Sequence, residues 1–307
     1  MPDGARAEWP DAAVSSREAL DRRRPGWPGP GEEPPGPTLP IPPGRGGDQK
    51  IPRPFNARPG GPAPWADLPP ERRRPSVADV RAALAPLGPA QRSARELIDG
   101  PPRTGRPSAV LAPLYDDDVA AVASDGGAPS DGSHHSAGTG AGDGHGARLA
   151  HVVLTRRTWG MRTHQGEVSF PGGRVEPGES PVDGACREAQ EEIGLDPASI
   201  EIIGELDHLA TVSSGSFIVP YVGLLPGRPR TVPSPAEVEA VLHVPLAELL
   251  DPAIFREEIW TFPGGRVQPI TFFELVGDTV WGATASLLRQ LLGIVTGTLG
   301  RGDLDHP

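Results

Sequence analysis

Apolar residues recur along this chain with two periods. Between 181 and 194, Val182, Ala185, Cys186, Ala189 and Ile193 fall at i, i+3, i+4, i+7 and i+11, one stripe along a helix. Pro181 suits a first turn and Gly194 a C-terminal cap, so the spacing predicts a helix between them. Ser76 can cap a second helix carrying Val77, Val80, Ala83 and Leu84 on one face, with a further short helix over 91–98. The run VLHVPLAELL (241–250) is expected to end in a helix. The last helix, 281–295, turns Leu287, Leu288, Leu291, Leu292 and Val295 inward. Short β-type runs at 109–115, 150–155, 201–206 and 216–224 predict strands. The words FPGGRV occur twice, at 170–175 and 262–267, and the second copy predicts a hairpin turn. Strands and helices mixed in this order predict an α/β fold, a mixed sheet sandwiched by helices.

Residues 1–75 show no such period. The chain holds 40 Gly and 40 Pro in 307 residues, many of them here, and such a segment buries too little surface to offset its ordering entropy. A disordered Pro/Gly-rich tail is therefore expected over 1–75, a folded domain over 76–299 with a flexible acidic insertion at 116–148, and a disordered C-terminal tail over 300–307. The net charge of −11 disfavours nucleic acid and anionic membranes as partners. No apolar run is long enough to span a bilayer, and the opening stretch lacks the apolar core of a signal peptide. A single cysteine leaves no intrachain disulfide framework and fits a reducing, cytoplasmic compartment.

The chemistry concentrates around the first FPGG. Glu188, Glu191 and Glu192 share one side of the 181–194 helix, where like charges cost about 0.2–0.5 kcal/mol per pair. A divalent cation reverses that sign, and hard oxygen ligands suit Mg²⁺ or Mn²⁺. Gly172 and Gly173 let the backbone approach a ligand closely. Upstream, Arg156, Arg157, Arg162 and His164 supply cations beside that loop, and an arginine fork matches phosphate oxygens.

Gly173, five residues, Glu179, seven residues, Arg187-Glu188-Ala189, one residue, Glu191-Glu192, one residue, Gly194-Leu195 resembles the signature box of the Nudix hydrolases. The resemblance implies a Nudix α/β/α sandwich and hydrolysis of a diphosphate linkage. It implies Mg²⁺ or Mn²⁺ on Glu188 and Glu192, with Glu191 as a further ligand. It implies a base or ligand from the 234–239 loop, best matched by Glu237, and a carboxylate-orienting role for Arg187. Leu154-Thr155, one residue, Arg157, then Arg162, three residues, Gly166, three residues, Phe170-Pro171-Gly172-Gly173 is similar to the motif preceding the box in the coenzyme A diphosphatase branch. That implies CoA or a derivative as substrate, with Arg157 and Arg162 positioning its phosphates. Alternatives are another nucleoside diphosphate derivative or a ligand sensor without turnover. A homodimer is an open option for assembly.

Overall fold

The computed structural model describes residues 26–29, 31–88, 90, 107–118, 148–160, 164–210 and 217–303. The helix expected at 91–98 and nearly all of the 116–148 insertion lie outside them.

In chain order the strands are β1 (Arg58–Pro59), β2 (Ser108–Asp118), β3 (Arg148–Arg157), β4 (Val168–Ser169), β5 (Gly172–Arg174) and β6 (Glu201–Glu205). There follow β7 (Leu209–Ala210), β8 (Phe217–Leu224), β9 (Val238–Pro245), β10 (Phe255–Thr261), β11 (Val267–Glu274) and β12 (Thr279–Trp281). The helices are α1 (Val77–Leu84), α2 (Pro181–Ile193), α3 (Leu246–Leu249) and α4 (Gly282–Thr296).

Strands β4, β3, β2, β8 and β6 run side by side, with β5 on β2, β7 on β8 and β9 on β3. The sheet is mixed: β2 lies parallel to β8 and antiparallel to β3 and β5. Alternation along the strands sets its two faces. Leu111, Tyr115 and Val153 pack with Ala185, Ala189 and Ile193 of α2. Ala112, Leu114, Val152 and Leu154 point the other way, toward Val80 and Leu84 of α1 and the leucines of α4. Helices thus cover both faces, the α/β/α arrangement expected. Ser76 and Asp79 close a capping box at the start of α1.

A second sheet, β1-β10-β11-β12, corrects the picture of a disordered tail. From Gly26 onward the Pro-rich arm is laid against this sheet. Its β1 pairs with β10, Gly46 N donates to Leu275 O (2.7 Å) and Gly60 N to Glu257 O (2.8 Å). Trp65 is fully buried, stacked with Phe273 and edge-on to Phe255. Trp27 meets Trp260 with ring centroids 6.1 Å apart. The arm orders through a few large anchors and through polar groups whose partners lie in the last third of the chain, so no local period announces it. Below it, Arg53, Arg256, Glu258 and Glu274 form a buried network: Arg53 Nε reaches Glu258 Oε2 (2.7 Å), and Arg256 binds both glutamates. The C-terminal stretch is corrected in part: Arg301 bonds Asp207 (3.1 Å) and Gly302 N donates to the same carboxylate (2.6 Å). Residues 304–307 lie outside the described set. The second FPGG closes the β10–β11 hairpin as expected, with Phe262 N donating to Arg266 O (2.7 Å).

Candidate active site

The site is assembled where β5, α2, the end of β3 and the loop before β9 meet. Ser180 caps α2 by accepting from Asp183 N (3.2 Å), and Gly194 ends it in the left-handed region at φ 73°. The buried stripe Ala185, Ala189, Ile193 fixes the rotation of the helix on the sheet. That rotation turns Glu188 and Glu192 inward and Glu191 outward.

Two glycines hold strand β5 against these acids. A Cβ on Gly172, at φ +153°, would lie 2.4 Å from Ala109 O and 2.6 Å from Val110 Cα, so no side chain fits. A Cβ on Gly173 would lie 2.5 Å from the Glu188 carboxyl carbon, which measures how closely this backbone meets the carboxylate. Gly172 N donates to Glu192 Oε2 (3.3 Å).

Arg187 gathers the surrounding carboxylates. Its Nε donates to Glu179 Oε1 (2.9 Å), and Nη1 donates to Glu188 Oε1 (3.1 Å) and Glu191 Oε2 (2.9 Å). Nη2 donates to the Arg174 carbonyl (3.0 Å), which ties α2 to β5. Hydrogen bonding to Glu179 first, then the charges of Glu188 and Glu179, raises the Arg187 pKa against the opposing effect of burial. Glu179 is held below its usual range by the same guanidinium and serves this anchoring contact.

Glu192 is buried, at 3 % exposure, and among the described residues its ion-pair partner, Arg157 Nη1, stands 3.7 Å away. Burial pushes its pKa up to about 7; Arg157 and the Gly172 N–H oppose the rise, and the charges of Glu188 and Glu237 add to it. Glu188 is raised as well, chiefly by burial, with Glu191 and Glu237 contributing. Glu237 reaches this neighbourhood because its loop is pinned to the helix end: Ser234 N donates to Glu192 O (2.8 Å) and Val232 N to Ile193 O (2.9 Å). The structure therefore brings Glu188, Glu192, Glu237, Arg157, Gly172 and Gly173 into one place. Arg156, adjacent to Arg157 on the strand, faces away and pairs with Asp278 Oδ2 (3.0 Å). Arg162 lies outside the described residues.

Glu191 turns away from the inward pair Glu188 and Glu192. Its side chain is 59 % exposed and drawn to Arg187. Among the described residues no three His, Cys, Asp or Glu side chains are gathered closely enough to hold a metal ion by themselves. The donor chemistry nevertheless fits Mg²⁺ or Mn²⁺. Such ions are commonly held by one or two carboxylates, with waters and substrate phosphates completing the shell. Two shielded carboxylates with raised pKa values and an exposed third at the rim form a set of that kind.

A family model described as NUDIX domain matches residues 142–259, which span β3 to β10 and contain all of these groups. The Nudix hydrolase NudL of Photorhabdus laumondii, itself described as uncharacterized, is 34 % identical over 141 residues, 46 % of this chain and 74 % of that protein. This chain belongs to the Nudix hydrolase family. Nudix hydrolase 22, chloroplastic, of Arabidopsis thaliana is 38 % identical over 157 residues, 47 % of this chain and about half (49 %) of that protein. Among solved structures, a C. elegans Ap4A hydrolase complex aligns with 45 % of this chain and 78 % of its own at 15 % identity and TM-score 0.30. As a Nudix hydrolase the chain acts on nucleoside diphosphate derivatives, and hydrolases of this family generally use a divalent metal. The Nudix match ends inside β10, so the arm and most of the second sheet lie beyond it. Sequence reading missed Gln49 and Asp278, which bond Gly166 and Arg156 in the segment that leads into the glycine loop. Neither sits in a motif, and only the folded chain brings them near.

Proposed function

We propose that this Nudix hydrolase cleaves the diphosphate of CoA, or of a CoA derivative, into 4′-phosphopantetheine and adenosine 3′,5′-bisphosphate. The observation that carries the reading is the pair Glu188 and Glu192. They are two inward carboxylates with raised pKa values, set against a glycine backbone that no side chain could replace. The choice of CoA is supported by the run from Leu154 to Gly173, whose Arg157 stands at the mouth of the carboxylate pair.

Glu188 and Glu192 would hold Mg²⁺ or Mn²⁺, with Glu191 or Glu237 completing the protein's share of ligands. When bound, the ion supplies neutralisation of the diphosphate charge and acidification of a water that attacks phosphorus. Arg157 presents its guanidinium to the diphosphate oxygens and orients them, with Arg162 as a second cation on the same segment. Arg187 fixes the rotamers of Glu188 and Glu191 from behind. Glu237, exposed at the rim and held by the Ser234 turn, accepts the proton released by the attacking water. Water adds to one phosphorus, the bridging P–O bond breaks, and the bridging oxygen leaves on the other phosphate.

The test is a comparison of kcat/KM for CoA, ADP-ribose, diadenosine polyphosphates and dNTPs with Mg²⁺ or Mn²⁺. CoA should lead. A clear preference for another diphosphate removes the CoA assignment and keeps the chemistry. CoA binding without any product would mark a ligand sensor instead.

A further inference from the structure

The hairpin between β11 and β12 presents Asp278, 3 % exposed, to two residues distant in sequence. Its Oδ1 accepts from Gln49 Nε2 (2.8 Å) and its Oδ2 from Arg156 Nη1 (3.0 Å). Gln49 belongs to the arm and is itself buried, at 8 % exposure. It uses both ends of its amide. Nε2 also donates to the Gly166 carbonyl (3.1 Å), and Oε1 accepts from Thr279 N (2.9 Å). The arm approaches closely enough to do this because Gly47 lacks a side chain: a Cβ there would meet Gly277 O at 2.5 Å.

Gly166 lies in the segment just before the glycine loop, and that segment holds an uncommon backbone. Gly166 has φ +65°, and His164 is the non-glycine residue with positive φ among the described residues, at 57°. A non-glycine residue persists in that region where its surroundings over-determine it. A Cβ on Gly166 would lie 2.5 Å from the Trp159 ring, so the two sides of the turn are in contact. Across the turn, Arg157 N donates to Glu167 O (3.0 Å) and Thr158 N to Glu237 O (2.9 Å). One buried amide on the arm therefore fixes the backbone opposite Arg157, and the residue after Arg157 is bonded in turn to the Glu237 loop.

We propose that Gln49 is a positioning residue of the diphosphatase site. The arm, lying outside the family match, clamps Gly166 and so holds Arg157 in register with Glu192. The catalytic part of this inference rests on the role given above to Arg157; the clamp itself does not. Gln49→Met keeps the side-chain length and removes all three hydrogen bonds. In the full-length chain it should raise KM about five- to twentyfold, the scale of one or two net hydrogen bonds felt at the substrate, with kcat within about threefold. The substrate is whichever diphosphate the wild type cleaves best. Amide hydrogen exchange at Arg157 and Thr158 should speed up together. Arg45→Ala, which removes the arm's ion pair with Glu248 away from this segment, should change neither readout. Unchanged KM and exchange in Gln49→Met, or equal changes in Arg45→Ala, would overturn the proposal. If Gln49→Met fails to fold, Gln49→Asn keeps an amide too short to bridge Asp278 and Gly166, and the same two outcomes decide. If the wild type cleaves no diphosphate, the functional reading fails while the exchange data still judge the clamp.

Discussion

Two arginine–glutamate networks in this protein use the same side chains to opposite ends. Beneath the arm, Arg53 and Arg256 meet Glu258 and Glu274, two cations for two anions, all nearly buried. Burial would push the Glu258 pKa up, but hydrogen bonds from Trp260 and Arg53 and the charge of Arg256 outweigh it, and the net shift is downward. At the active site, Arg157 and Arg187 face Glu179, Glu188, Glu191, Glu192 and Glu237, and the two inward acids, Glu188 and Glu192, are raised. A balanced network is a structural fastener. An unbalanced one, held together by packing on α2, is built to receive positive charge. Burial alone does not separate them, since both contain glutamates under 4 % exposed. The count and distance of the cations does.

Three substitutions or conditions would sharpen or break this contrast. The largest effect is expected from Glu192→Gln, which keeps shape and removes a ligand charge. Turnover with Mg²⁺ or Mn²⁺ should fall about 10²–10⁴-fold, while metal-free Tm does not drop; near-normal kcat would remove Glu192 from the chemistry. Next is Glu258→Gln. It leaves Arg53 and Arg256 short of a charge in a dry site, and should cost about 3–5 kcal/mol in urea unfolding. A loss under about 1 kcal/mol, the scale of an exposed pair, would mean that this network is not what holds the arm.

The smallest effect is the response to pH in EDTA, where the two networks should pull in opposite directions. Glu192 has a folded pKa raised above its unfolded value, so its protonated form favours the folded state. The stability it permits is present below about pH 4.5 and is lost as pH rises toward 7, by up to about 3 kcal/mol. Glu258 is depressed, so its contribution is present above the ordinary glutamate range and is lost as pH falls below it. Glu192→Gln should therefore stabilise the metal-free protein more at pH 8 than at pH 5. Parallel denaturation curves at the two pH values would contradict the assigned shift.

The site was more legible than its surroundings. Helix α2 announces itself through Pro181, Gly194 and a stripe at helical spacing, and the glutamates follow from its geometry. Strands β2, β3, β6 and β8 show through short apolar runs bounded by turn residues. The arm was illegible for a physical reason. Proline and glycine carry no period, and Trp65 or Arg53 is informative only once Phe273 or Glu258 stands beside it. Arg156 shows the same limit on a smaller scale. It sits next to Arg157 in sequence, and only strand pleating sends one to the site and the other to Asp278. Glu191 shares a helix side with Glu188, yet its carboxylate turns outward to Arg187, one turn before it, and that pull is invisible without side-chain positions.

The pairing of the arm with β10–β12 has a consequence for synthesis. Arg53 emerges from the ribosome long before Glu258, the carboxylate that will hold it. At roughly 5–20 residues per second it waits about 10–40 s with nothing to dock on. During that interval Trp27 and Trp65 lack the rings that later cover them. A nascent chain arrested before β10 would hold the whole of helix α2 and yet leave the arm unanchored.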